Sequence, residues 1–351
     1  MHEIQYGGLA SWAVKRGGSL HPIFLPPEET AETGQMNPSI LIHKGKILFN
    51  IRQVNYALYH SEGKRFPHLW GPLQYIHPEN DISLKTDNYI CDLNDDLEVE
   101  SFCKVNMKFD TGAPTWNFIG LEDGRLIEWD GRLFLCGVRR DCYDDKGTGR
   151  MEMAEIEYRD GEWQEVSRNP IRAPSDTTSL LGYCEKNWMP VLDMPWHFIK
   201  WTNPTELVYY DISTTKSYTT KLDEGKRYRF PRDIRGGTQV IRLDENHRMA
   251  ITHEVELNKD AHVRKDGLYL HRVIIWDNDW NIVKASDGFS FMGMNHFEDD
   301  GCDYGIEFAV GVQIHNGSIL ISYGLADAAT YLLKMPLVDF LEFVDRTQIV
   351  C

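Results

Sequence analysis

A chain of 351 residues with 42% apolar and 26% charged residues has ordinary globular composition and can bury a sizeable core, in one domain or two. Its formal net charge of -16 disfavours nucleic acid and anionic membrane surfaces as partners, although a local basic cluster can still hold a small phosphorylated ligand. The seven cysteines form no CxxC pair and read as reduced thiols, the start Met1-His2-Glu3-Ile4-Gln5-Tyr6 lacks signal-peptide regions, and no apolar run reaches membrane-span length, so a cytoplasmic protein is expected.

Taken along the chain, the elements are strands joined by tight turns. Pro26-Pro27-Glu28-Glu29 reads as an exposed loop, and Lys44-Gly45 turns into the apolar run Lys46 to Asn50. A loop around Asp95-Asp96 follows. Asp130-Gly131 then introduces Arg132 to Cys136, an Asp-Gly pair ahead of apolar residues being a strong hairpin signal because both turn positions need positive φ. Further strands are expected at Glu206 to Tyr210, Thr238 to Leu243, Arg248 to Val255 and Tyr269 to Asp277. They continue after Asn316-Gly317 and at Thr330 to Met335. Helical spacing is clear only near the end, where Leu337, Phe340, Leu341 and Val344 fall at i, i+3, i+4 and i+7. The pattern predicts an all-β meander with a short C-terminal helix, a single domain over 1–351. The turn-and-strand repeat is too loose to count blades and is compatible with four to seven.

Four polar clusters interrupt the apolar pattern, each open to two readings. Glu122-Asp123-Gly124-Arg125, just before a strand pair, is either a solvated turn with a local ion pair or a general acid tuned by its neighbours. Glu185-Lys186-Asn187-Trp188 is either a structural ion pair or part of a sugar or phosphate pocket, aromatics covering sugar faces while amide and ammonium take oxygens. Arg232-Asp233-Ile234-Arg235-Gly236-Gly237 leads to His253-Glu254; its Gly-Gly is either an ordinary turn or an anion-binding approach of backbone N–H groups. Glu307 interrupts an apolar strand ahead of Tyr323-Gly324-Leu325-Ala326-Asp327, and either points into a polar funnel or is paired in the core. His253, His271 and His315 lack metal-ligand spacing, and no metal is expected. No GxSxG elbow, P-loop or dinucleotide fingerprint is present.

In this order the clusters resemble glycoside hydrolase family 130, which includes β-mannoside phosphorylases. The resemblance runs from about Asn37 to Asp327 and implies a five-bladed β-propeller. Asn37-Pro38 and Asn50-Ile51-Arg52 look like the family's opening Asn and the Arg that ends its first inner strand. Glu122-Asp123-Gly124-Arg125 looks like its Glu-Asp-Pro-Arg signature, with Gly124 in place of Pro. Lys186 is similar to a basic position that helps hold phosphate, with Lys200 or Trp201 near the place of a second cation. Tyr323 to Asp327 resembles the family's Tyr-Gly-Ala-Ala-Asp segment. Arg235-Gly236-Gly237-Thr238, His253-Glu254, His271-Arg272 and Glu307 bring the chain closer to a related propeller branch found alongside sugar-polymer biosynthesis.

The resemblance implies an inverting displacement at an anomeric carbon, Asp123 supplying the proton to the departing oxygen and Glu307 or Asp327 available to activate water. Asn37, Arg52, Glu122, Arg125, Asn187 and Tyr323 are the implied sugar-binding residues. Lys186, Arg235, His253, His271 and Arg272 are the implied phosphate binders. The partner is an oligosaccharide or a sugar phosphate. No cofactor is expected, inorganic phosphate or a sugar nucleotide entering as co-substrate. The expected activity is glycosyl transfer to or from phosphate or from an activated donor; a β-mannosidase-type hydrolase and a non-catalytic glycan-binding propeller are the alternatives.

Overall fold

The computed structural model describes residues 2–30, 33–58, 75–76, 83–108, 113–174, 184–222, 228–258, 266–292 and 306–349. The glycine turns behave as their chemistry dictates. At Lys44-Gly45, Asp130-Gly131 and Asn316-Gly317 both central residues have positive φ, and the flanking pairs His43 with Lys46, Trp129 with Arg132 and His315 with Ser318 close two-residue hairpins. Asp160-Gly161 closes a fourth.

These hairpins build the five blades of a propeller. Blade one holds Gln35–His43, Lys46–Val54, Leu84–Leu93 and Val99–Asn106, and blade two holds Glu122–Trp129, Arg132–Arg139, Arg150–Arg159 and Glu162–Ile171. Their outer strands touch in parallel at Trp163 with Val105. Blade three runs Met189–Pro190, His197–Trp201, Glu206–Asp211 and Lys216–Leu222; blade four runs Ile241–Arg242, His247–Asn258, Asp266–Asp277 and Ile282–Ala285. Blade five takes Glu307–His315, Ser318–Leu325 and Ala329–Pro336 from the end of the chain. Its outer strand, Ser19–Pro22, comes from the beginning, which closes the ring.

Packing between neighbouring blades explains the aromatic richness. Trp129, Phe134, Trp188, Trp196 and Phe198 fill one seam, with Trp129 and Phe198 meeting edge to face at 5.3 Å. The C-terminal helix, Leu337–Arg346, buries Phe340, Phe343 and Val344 beside Trp12 and Phe289. Leu341, expected on that face, is only partly buried.

Three elements differ from expectation. Residues 2–14 form a helix broken at Gly8 (φ 62), a segment whose Gly7-Gly8 pair argues locally against one; tertiary burial of Leu9, Trp12 and Ala13 overrides propensity. Pro27–Thr30 is one helical turn, not open loop. The strand expected over Thr238 to Leu243 is regular only at Ile241–Arg242: the Thr238 N–H still donates to Ile251 of its own blade, but the Val240 N–H turns to Pro190 of blade three.

Cys91, Cys103, Cys136, Cys142 and Cys184 are free thiols, and burial pushes Cys91 and Cys136 up to about 12; Cys302 and Cys351 lie outside the described residues. Among the described residues no helix is long and apolar enough to cross a membrane.

The innermost strands are tied by side chains reaching neighbouring backbones. Ser39 Oγ and Asn50 Nδ2 donate to the Gly124 carbonyl at 2.8 and 3.0 Å. Arg125 Nε donates to Gly237 O at 2.7 Å, Gln239 Nε2 to Ile40 O at 2.8 Å, and Ser322 Oγ to Pro38 O at 2.6 Å. Gly236 and Gly237 admit this approach: a Cβ would lie 1.8 Å from Asn187 O at the first and 2.1 Å from Ile251 O at the second. Their role is close backbone packing, and the anion-binding reading of this Gly-Gly pair gives way to it. Gly236→Ala is therefore expected to lower stability by about 1–3 kcal/mol, as overpacking against backbone does. Gly131→Ala, with nothing within 4 Å, meets only the strain of its φ of 72. Urea unfolding of the two variants should show the larger loss at Gly236.

Candidate active site

Where the inner strands of blades one and two begin, Asp123 is the centre of a charged cluster. Its backbone sits at φ 53, within the left-handed region, and the turn aims the carboxylate at blade one. Asn37 Nδ2 donates to Asp123 Oδ1 at 2.7 Å and Arg52 Nη1 donates to the same oxygen at 2.8 Å. Arg52 is fixed from three further sides, by Thr86 Oγ1 at 3.2 Å, Tyr56 Oη at 2.8 Å and Glu122 Oε2 at 3.5 Å. Gly324 makes room for Asn37: a Cβ there would lie 2.6 Å from Asn37 Oδ1.

Burial alone would raise the Asp123 carboxyl. Arg52, the Asn37 amide, Arg125 and Lys186 together outweigh it and hold the group below the ordinary aspartate value, so Asp123 is ionised at neutral pH. Burial likewise works against the Arg52 charge, and Tyr56, Asp123, Glu122 and Asp327 reverse the balance. Asp327, in the turn after Ser318–Leu325 at φ 51, thus belongs to the cluster through Arg52.

On the other side stand the cations. Lys186 is open to solvent, yet the protein around it lowers its ammonium below the ordinary lysine value; Arg140 acts in the same direction, against the pull of Cys184, Asp123 and Glu122. Among the described residues neither Lys186 nor the exposed Arg235 forms an ion pair. His253 pairs by backbone with Arg235 (2.8 and 2.9 Å) and lies against Phe308. Burial, then His271, Arg235 and Lys186, hold His253 well below the ordinary histidine value, so it is neutral, and its Nδ1 has no hydrogen-bond partner among the described residues.

Arg140 was not legible in the sequence. It follows Arg139 at the end of Arg132–Arg139, its Nε donates to Glu122 Oε1 at 3.2 Å, and it is electrostatically coupled to Asp123, Cys184 and Lys186. The Arg139-Arg140 pair beside a strand end was the available signal, and only burial separates the two: Arg139 Nε is spent on buried Glu152 at 2.9 Å. Lys200, near the expected second cation, is 3.7 and 3.9 Å from Glu185 and Glu206, and so belongs to blade three's own packing. Arg140 is the additional cation coupled to Asp123.

Several expected residues stand apart from the cluster. Arg125 lies beneath it, 1% exposed, its guanidinium on the Gly237 and Asp123 carbonyls at 2.7 and 3.2 Å; it positions the turn and does not face a ligand. Asn187 is buried at φ 61 with its carbonyl against Gly236, and its Oδ1 has no partner among the described residues. Tyr323 is buried in a stack, 4.2 Å from Phe291 and 5.5 Å from Tyr331, with its hydroxyl on Met292 Sδ. That places it in the seam between blades.

His271 and Arg272 are consecutive on one strand and so point to opposite faces. His271 Nε2 accepts from Ala309 N–H at 3.3 Å, and burial lowers its pKa to about 3; Arg272 is locked to buried Glu254 and to Ser286 O. Neither is available to phosphate. Glu307 accepts Phe291 N–H at 2.6 Å and Met292 N–H at 2.7 Å; burial pushes it up to about 7 against those two bonds. It secures a backbone turn, and its two oxygens are already engaged.

The fold is that of the propellers of glycoside hydrolase family 130. One similar structure is a member of that family of mannoside phosphorylases, which contains glycoside hydrolases that target β-1,2 mannosidic linkages in Candida mannan: 14% identity, 86% of this chain and 84% of that one, TM-score 0.55. A mannose phosphorylase from Leishmania mexicana in complex with phosphate ion matches at 13% identity over 94% and 91%, TM-score 0.51. A β-1,2-mannobiose phosphorylase from Listeria innocua in complex with β-1,2-mannobiose matches at 12% over 99% and 98%, TM-score 0.51. In sequence no protein-family model and no curated protein matches the chain.

A carboxyl with a depressed pKa contributes stability above its unfolded value of about 3.9, and that contribution is lost as pH falls through the folded value. In Arg52→Met the strongest opposing charge is gone, and burial weighs more heavily against the ionised carboxyl. The variant should lose about 3 kcal/mol at pH 7, as broken buried pairs do, and less at pH 4, where the carboxyl takes up a proton. Urea unfolding at the two pH values checks this; equal losses would assign the effect to packing.

Proposed function

We propose that this chain is a carbohydrate-active enzyme that transfers a glycosyl unit, with inversion, between a mannoside-type glycan and phosphate or a phosphorylated donor. The observation that carries this reading is the pair of cations without ion-pair partners among the described residues, Lys186, coupled with Arg140 to Asp123, and Arg235, beside His253, in a chain of net charge -16. Unpaired cations in an acidic protein mark a place for an anion, and a hydrolase that only positions water has less need of them. The mannoside phosphorylases that share the fold support the sugar class.

In the degradative direction an oxygen of phosphate, held by Lys186, Arg140 and Arg235, bonds to the anomeric carbon as the glycosidic C–O bond breaks on the opposite face. The departing oxygen takes the proton carried by Asp123, directly or through a sugar hydroxyl. Asp123 is ionised in the free protein, so it must first acquire that proton. An anion seated on Lys186 and Arg140 offsets the cationic field that depresses the carboxyl and moves it toward the protonated form. In the synthetic direction the ionised Asp123 is ready to accept the proton of an acceptor hydroxyl as the sugar leaves phosphate. Asn37 and Arg52 fix the carboxylate in either case.

A hydrolase is the second reading, supported by Asp327, the remaining carboxylate coupled to Arg52 once Glu307 is committed to backbone N–H groups. Incubation with β-1,2-mannobiose, with and without phosphate, separates the two. Phosphate-dependent formation of a sugar phosphate is expected, with kcat falling about 10²–10⁴-fold in Asp123→Asn. Lys186→Met should act mainly on the KM for phosphate. Mannose release at the same rate without phosphate would establish hydrolysis, and absence of turnover in both directions would leave a binding propeller.

A further inference from the structure

The inner strands that start at the charged cluster end at a second concavity. It has a volume of about 400 Å³ and lies at the far end of Gln35–His43, Glu122–Trp129 and Glu307–His315, roughly 20 Å from Asp123 at the rise of an extended strand. The volume falls within the range of about 300–1,000 Å³ usual for small-ligand sites. Leu41, Leu192 and Pro195 supply apolar wall, and Trp129 closes the interior side.

The polar groups around it have an uncommon balance. Three carboxylates, Glu128, Asp130 and Asp193, line the opening, and each is already engaged. Glu128 Oε2 meets His43 Nδ1 at 2.8 Å, and Asp130 Oδ2 accepts the Trp196 indole N–H at 3.0 Å. Asp193 is held by Arg248 at 2.8 Å and Arg242 at 2.8 Å. Gln313 also lines the concavity; it is 8% exposed, and its Nε2 has no hydrogen-bond partner among the described residues. A buried amide left without a partner has given up its water without compensation, and a ligand oxygen would relieve it.

We infer that this far mouth of the propeller is a binding site for a neutral, hydroxyl-rich small molecule, of the size of one or two sugar rings. Engaged carboxylates keep free lone pairs that accept hydroxyl protons, the Gln313 amide both donates and accepts, and the Leu41, Leu192 and Pro195 wall covers C–H faces. A phosphorylated ligand finds no free cation there among the described residues, because Arg242 and Arg248 are both spent on Asp193. A divalent cation is disfavoured because Asp193 already carries two guanidinium partners, and among the described residues no three His, Cys, Asp or Glu side chains converge with metal-holding spacing. The site is separate from the Asp123 cluster and would carry out no chemistry; it would hold a sugar on the face opposite to the one that reacts.

The test follows the indole N–H resonances of Trp129 and Trp196 by NMR while D-mannose, D-glucose, β-1,2-mannobiose and glycerol are added in turn, with sodium phosphate and calcium chloride as ionic probes. At least one of the sugars or the polyol should move these resonances saturably. Gln313→Leu should weaken that response about tenfold, the loss of one relieved amide. Asp130→Ala, at an exposed turn, should weaken it as well, which keeps the test decisive if Gln313→Leu does not fold. Asp123→Asn should leave the response unchanged. The inference fails if none of the sugars or glycerol moves the resonances, if both far-mouth variants respond as wild type does, if only phosphate or calcium acts, or if Asp123→Asn abolishes the response.

Discussion

Five innermost strands meet around the axis, and what the structure depends on is how they are joined where backbone pairing between blades is confined to short contacts such as Val240 with Pro190 and Leu192. Polar groups near such an axis are buried and need partners. Side chains provide them: Ser39 and Asn50 to Gly124, Arg125 to Gly237, Gln239 to Ile40 and Ser322 to Pro38 each join one blade to another. Glycine at 237 and 324 permits the close approach of Ile251 O and of Asn37 beside these contacts. The same residues that close the ring therefore set where the loops at its mouth begin. Asp123 stands one residue from Gly124 and two from Arg125, so the geometry of its carboxylate follows from the way blades one, two and four are locked.

Electrostatics then divides the buried cations into two kinds. Arg139, Arg272 and Arg248 are each engaged by a carboxylate within a blade or at its edge and serve architecture. Arg52 stands between, buried and surrounded by Asp123, Glu122 and Tyr56, fixing an acid in its ionised form. Lys186 and Arg235 form no ion pair among the described residues, and His253, on which both act, is neutral. In the proposed reaction this arrangement would receive negative charge, whose arrival would move Asp123 toward its protonated form. At the other mouth the carboxylates are the engaged groups and an amide is the unsatisfied one, so the two ends of the axis suit ligands of different character.

Local chemistry made the hairpins legible. Asn-Gly and Asp-Gly pairs fixed turn type and, through it, register, and the spacing of Phe340 and Val344 marked the last helix. The Glu122-Asp123 turn and the Lys186 segment stood out because charge interrupted an apolar pattern. The same signal misled at Glu307 and Arg272, where charge inside a strand meant a backbone partner or a buried ion pair. Arg140 escaped notice because nothing local separates it from Arg139; which of two adjacent guanidiniums is spent on Glu152 depends on strand alternation and on a third strand. The opening helix was missed for a related reason, its Gly7-Gly8 pair being tolerated only because Leu9 and Trp12 are buried against blades distant in sequence.

By itself the sequence determined the sheet-rich architecture, the turn positions, the strongly acidic net charge, and a short set of polar segments able to carry chemistry. These are properties of neighbouring residues, because turn φ, strand alternation and charge act over a few positions. The tertiary structure alone decided which of those segments share a mouth, since Asn37, Arg52, Asp123, Lys186 and Asp327 come from strand ends far apart along the chain and meet only when the ring closes. It also decided which charges are free, because a guanidinium or carboxylate is available to a ligand only if no partner from another blade has already taken it.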